Sequence, residues 1–159
     1  MFKVNIYIET DGNDKRTRYR TYKAIVEFTT PKGKTETREV YGTENTTGHG
    51  ISLLALVAAL NLLVKPCEAT VYMECQYVTE NIRFKEVHKW YYNGWNSICG
   101  KPIANQGEWK KIIRFMEKHE LIFADATKVK THSYKKRMQY DIKKLKGQGI
   151  EWQQQEIGR

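Results

Sequence analysis

Two hydrophobic periods alternate along the chain. Residues 3–10, "KVNIYIET", carry β-branched and aromatic side chains and stop at Asp11-Gly12, which predicts a strand and a turn. "RYRTYKAIVEFTT" and "TETREVYG" flank "PKGK" and predict two strands in a hairpin. Residues 51–64 are apolar nearly all round, interrupted only by Ser52 and Asn61, which predicts a buried helix that Pro66 stops. "ATVYMEC" predicts a short strand, and residues 76 to about 90 a helix. "NGWNSICGKPIANQG" reads as an irregular loop, residues 109–119 as a second amphipathic helix, "LIFADAT" as a strand and "SYKKRMQYDIKKLK" as a basic helix. That order predicts one α/β domain, antiparallel at first and parallel later, over residues 1–146, with a tail at 147–159.

Composition adds a soluble, globular character: 159 residues, 40% hydrophobic and 28% charged. Charge changes the picture more. Lys and Arg number 27 against 18 acids, a formal +9, which implies a polyanionic partner, nucleic acid or acidic membrane, or a solubility device. Three cysteines without a C-x-x-C argue against a disulfide framework or a zinc finger and for a reducing, cytoplasmic setting. The opening "MFKVNIYIET" is not a signal peptide, and the apolar run at 51–64 is too short to span a bilayer, so no membrane partner is expected.

Candidate chemistry sits at strand ends, where open α/β sheets build their sites. Asp11 ends the first strand and Glu74 the "ATVYMEC" strand. If the strands are parallel neighbours, the two carboxylates can converge, an arrangement that suits Mg²⁺. Each alone is as easily an ordinary turn residue or a solvated acid. The segment 128–146 carries eight Lys or Arg and one acid, Asp141, which pairs with Arg137 or Lys144 on the helix, or binds metal. His132, in a basic loop, is a surface histidine or a proton carrier. Trp90, Tyr91, Tyr92, Trp95 and Trp109 are interleaved with Lys85, Lys89, Lys101, Lys110 and Lys111: stacking faces beside cations, or core anchors.

Taken together, "IYIETDG", "TTGHGISLLALVAALNLL", "MECQYV", "HKWYYNGWNSICGKPIANQGEW", "KVKTH" and "MQYDIKK" resemble the bacterial type 1 ribonuclease H family over most of the chain. The resemblance implies a ribonuclease H-like α/β fold, with a mixed five-stranded sheet of three antiparallel strands followed by parallel ones, flanked by helices. It implies Mg²⁺- or Mn²⁺-dependent hydrolysis of RNA paired to DNA, with Asp11, Glu74 and Asp141 as metal ligands and His132 as proton carrier. The basic protrusion and its surroundings imply hybrid contacts from Asn13, Thr47, Gln76, Lys85, Lys89, Trp90, Trp95, Lys101 and Asn105. Amide groups at Thr47, Gly48 and His49 are further candidates to meet a phosphate.

The sequence departs from the family pattern where chemistry would sit. The helix-entry glutamate falls on Ser52, Glu74 replaces an aspartate, and Gly48-His49 replaces an Asn-Asn pair. Losing a carboxylate at Ser52 implies one bound ion rather than two. Glu9, Glu44 and His49 are candidates to compensate, Glu9 because it shares strand parity with Asp11. Three functions remain open: an altered ribonuclease H, a catalytically weak or inactive hybrid-binding domain, and a partner-binding module, with a monomer as the default state.

Overall fold

The computed structural model describes residues 1–157, with side-chain surroundings for 1–147. Strands β1 (Phe2–Thr10), β2 (Arg18–Thr29), β3 (Thr35–Thr46), β4 (Cys67–Tyr72) and β5 (Glu120–Phe123) form one sheet in the order β3-β2-β1-β4-β5. β1, β2 and β3 pair antiparallel, and β4 and β5 add in parallel. This is the expected mixed five-stranded sheet.

Helices cover both faces. α1 (Gly48–Leu60) and α4 (Gln106–Lys118) bury the larger core, where Val4, Ile6 and Ile8 of β1 meet Leu53, Leu56, Leu60, Trp109 and Ile112. α6 (Lys135–Ile157) packs on the other face through Met138, against Tyr7 and Ile25. Alternation along β1 therefore sends Val4, Ile6 and Ile8 to one core, and Tyr7 and Glu9 to the side of α6. α1 is apolar all round because sheet and α4 surround it, and Thr47 caps it by accepting the Gly50 amide hydrogen at 3.1 Å.

Several boundaries differ from the sequence reading. β3 continues four residues past Gly42, because Thr43 to Thr46 pair with Thr21 to Arg18. The helical stretch after Gln76 is two helices, α2 (Gln76–Arg83) and α3 (Glu86–Tyr92), broken where Lys85 turns left-handed at φ 61°. The last strand, read over 121–127, ends at Phe123, and Ala126 and Thr127 with the residues read as a basic loop form α5 (Ala126–Thr131), whose N-cap Asp125 accepts the Lys128 amide hydrogen. The boundary at 146/147 falls inside α6, whose backbone runs on to Ile157, so the expected tail begins as helix; residues 158–159 lie outside the described residues. Among the described residues no helix is long and apolar enough to cross a membrane.

Candidate nucleic-acid interface and strand-end carboxylates

β1 and β4 end side by side. Their last parallel pair is Tyr7 with Tyr72; Glu9 lies two residues further along β1, and Glu74 lies two residues past the end of β4, in the turn before α2. Glu9, not Asp11, is thus the lateral neighbour of Glu74. One ammonium bridges them: Lys135 Nζ donates to Glu9 Oε1 at 2.9 Å and to Glu74 Oε1 at 2.8 Å.

Glu9 is 2% exposed and accepts two more hydrogen bonds, from Gln139 Nε2 at 2.7 Å and from His132 Nε2 at 2.9 Å. His132 Nδ1 accepts the Tyr134 amide hydrogen at 3.2 Å, which puts the ring proton on Nε2. Its ring lies 4.8 Å from Tyr7 and 6.2 Å from Tyr72. The side chain is 2% exposed, so His132 is no surface histidine. Neither nitrogen is free to carry a proton to or from a substrate. Burial raises the Glu9 carboxyl pKa, but the hydrogen bonds from His132, Lys135 and Gln139 and the Lys135 charge outweigh it, leaving it below the ordinary value. Burial lowers the Lys135 pKa, and its bonds to Glu74 and Glu9 outweigh that and raise it.

The other expected ligands point elsewhere. Asp141 is paired with Lys23 at 3.1 Å, over β2. Helix phase explains it. Gln139 and Lys146 follow Lys135 by four and eleven residues, close to whole turns at roughly 3.6 residues per turn, whereas Asp141 follows by six. Asp11 Oδ2 is held by Arg18 at 3.0 Å and Lys146 at 3.3 Å. Asp11 Oδ1 is buried without a hydrogen-bond partner, the one buried oxygen of the strand-end acids that the chain leaves unsatisfied among the described residues. Ser52, 2% exposed, donates its hydroxyl to the Gly48 carbonyl at 2.9 Å. It lines a hollow of about 60 Å³ together with Glu9, Thr10, Asn13 and Glu74.

Magnesium requires near-octahedral oxygen ligands, carboxylates among them. Among the described residues no group of three or more His, Cys, Asp or Glu side chains is placed to hold a metal ion. Asp11, Glu74 and Asp141, the three acids expected to share a metal, are each paired with a cation of the chain. As arranged here, the described residues do not fit a bound Mg²⁺ or Mn²⁺. Of the candidates to compensate for Ser52, only Glu9 lies at the centre. Glu44 is exposed on the edge strand, and His49 stacks on Tyr77 at 3.9 Å.

The helix entry is closed by its own chain. Arg20, fully buried, donates to the carbonyls of Gly12, Asp14, Arg16 and Thr46, and ties residues 12–16 over α1. The Gly48 amide donates to the Asp14 carbonyl at 2.8 Å, so it is not free for the phosphate proposed for it. A Cβ at Gly48 would come 2.1 Å from the Asn13 carbonyl carbon, so only glycine lets this loop sit there. Thr47 is the helix cap, while Asn13 and Gln76 remain exposed beside the hollow.

Beyond α3 the chain forms the aromatic and basic protrusion. Residues 96–102 close a small hairpin through the bridge of Asn96 with Pro102, and Trp95 and Asn105 take left-handed conformations at φ 65° and 61°. Trp109 is fully buried, and Trp90 packs edge-on to it at 5.5 Å. Trp90 and Trp95 are half-buried, and Lys110 Nζ lies 5.8 Å over the Trp95 ring. Lys85, Lys89 and Lys101 are exposed, with Lys89 paired to Glu86 at 3.0 Å. Asn105 precedes α4 without a capping side-chain bond.

Sequence reasoning missed Lys135, Gln139, Arg18, Arg20 and Lys146. The signal for Lys135 was the absence of any acid from the first turn of a helix that opens Lys-Lys-Arg; Arg18 and Arg20 on β2 carried none.

The family model described as RNase H matches residues 3–141. A ribonuclease H of Clostridium botulinum strain Hall is 30% identical over 135 residues, covering 84% of this chain and 86% of that protein. One from Prosthecochloris aestuarii is 35% identical over 97 residues, 60% of this chain, and the match spans 64% of that relative's length. Among solved structures, LC9-RNase H1, a type 1 RNase H with the type 2 active-site motif, superposes with a TM-score of 0.64 at 19% identity, over 79% of this chain and 64% of that one.

Proposed function

Because the chain belongs to the RNase H family, we propose that it is an RNA–DNA hybrid-binding domain on that fold, with two-metal cleavage weak or lost. One observation carries the reading: the strand-end acids are paired with the chain's own cations instead of grouped for a metal. The two-metal clamp needs ions roughly 3.5–4 Å apart, each with carboxylate ligands. Here Ser52 supplies a neutral hydroxyl committed to Gly48, and Asp141 faces Lys23.

Binding has the parts it needs. Lys85, Lys89 and Lys101 are exposed in the segment that carries the half-buried Trp90 and Trp95, and Lys128, Lys130, Lys136, Arg137, Lys143 and Lys144 add exposed charge on α5 and α6. Such surfaces grip phosphates with strong salt dependence, and aromatic faces take sugar or base. A cleaving enzyme with an altered site is the second reading, favoured by the adjacent pair Glu9 and Glu74 and the unpartnered Asp11 Oδ1.

The test incubates labelled hybrid with the native chain, Asp11→Asn and Ser52→Glu, in Mg²⁺ or Mn²⁺, and measures binding at several salt concentrations. Salt-sensitive hybrid binding without cleavage is the expected result. Cleavage that Asp11→Asn abolishes establishes the second reading. Absence of hybrid binding at low salt overturns both.

A further inference from the structure

The acids Glu9 and Glu74 stand in contact with a cation that the chain itself supplies. Lys135 Nζ lies 2.9 Å from one carboxylate and 2.8 Å from the other. Its side chain is 25% exposed, far more enclosed than a surface lysine needs to be. Glu9 Oε1 receives both Lys135 and Gln139, and Oε2 receives His132. Every oxygen of the buried carboxylate is already taken by a donor of this chain.

The helix that delivers Lys135 makes its placement costly. A helix N-terminus carries partial positive charge, so cations in its first turn are disfavoured. α6 nevertheless opens with Lys135, Lys136 and Arg137 and has no acid in that turn. Arg137 is offset by Glu39 at 3.0 Å, and Lys135 by Glu9 and Glu74. Without those acids the ammonium would add to the helix's own positive end. Without the ammonium, Glu9 would be a buried carboxylate with neutral partners only, and Glu74 its near neighbour of like charge.

We propose that Lys135 is this chain's resident cation at the Glu9–Glu74 pair, and that it keeps divalent metal ions from that position. The inference deepens the reading of a binding rather than cleaving domain, and rests on it. A tethered ammonium competes intramolecularly, so a dissolved ion must displace it against a high effective concentration. It balances charge, but it offers no open coordination position to activate a water.

The experiment titrates Mn²⁺ by calorimetry into the native chain, Lys135→Met, Lys135→Arg and the double variant Lys135→Met/Glu74→Gln, each verified as folded by circular dichroism. Met keeps the apolar stem and removes only the charge. Lys135→Met is expected to bind Mn²⁺ at least about tenfold tighter than the native chain, about 1.4 kcal/mol. The gain should vanish in the double variant and be absent in Lys135→Arg. A folded Lys135→Met that gains nothing overturns the inference, and so does a native chain that binds as tightly. A second readout needs only the native protein: millimolar Mn²⁺ must leave the Glu9 and Glu74 side-chain carboxyl resonances unbroadened, and broadening overturns the proposal whatever the variants do. Hybrid binding by the native chain, read separately, distinguishes failure here from failure of the binding function.

Discussion

Replacing Glu9 by Gln removes the charge on which the strand-end network is centred. The buried carboxylate accepts from His132, Lys135 and Gln139, all within 2.9 Å. An amide keeps one acceptor oxygen and turns the other position into a donor, which meets a donor already there. Breaking a buried ion pair from one side costs about 3–5 kcal/mol. Lys135 retains Glu74, whose side chain is 52% exposed, so its charge is not stranded. The low end, about 3 kcal/mol, is therefore expected, and at about 2–4 °C per kcal/mol for a domain of this size Tm falls by about 6–12 °C.

The loss depends on pH with a definite sign. The folded Glu9 pKa lies below its ordinary 4.5, so the carboxylate's contribution is complete above that value and fades as pH falls through the folded one. Thermal unfolding of native protein and Glu9→Gln, followed by circular dichroism, should show a wide gap at neutral pH that narrows in acid well below 4.5. Equal stability at neutral pH, or a gap that acid leaves unchanged, refutes the reasoning.

Further outcomes follow from single contacts. Gly48→Ala puts a Cβ 2.1 Å from Asn13 backbone and should destabilise by about 1–3 kcal/mol in urea unfolding. Arg20→Met strips three loop carbonyls and that of Thr46 of their buried donor, removes the ion pair with Asp14, and should cost about 3–5 kcal/mol in the same assay. Cys67 and Cys75 are buried and Cys99 is exposed, so a thiol reagent should label one cysteine in the native protein and all three in denaturant. Trp95→Ala should weaken hybrid binding by about 1–3 kcal/mol in fluorescence titration, with stability little changed because the ring is only half-buried.

Local sequence determined a great deal of this protein. Periodicity, turn residues and Pro66 specified the β-β-β-α-β order, and the apolar run behind Thr47 could only be a buried helix. Strand parity alone placed Glu9 on the face of Asp11. The motifs of the protrusion, from Trp90 to Trp109, carried the family resemblance because aromatic packing and positive-φ turns need particular residues. Which acid neighbours which was decided only by the tertiary structure. Parity gives a strand's face but not its register, and the β1–β4 pairing with the turn after β4 brings Glu9 and Glu74 to one Lys135. Helix phase relative to the sheet turned Lys135 and Gln139 inward and Asp141 toward Lys23. Long lysine and arginine side chains then found acids far away in sequence, since Coulomb attraction follows distance in space and not along the chain.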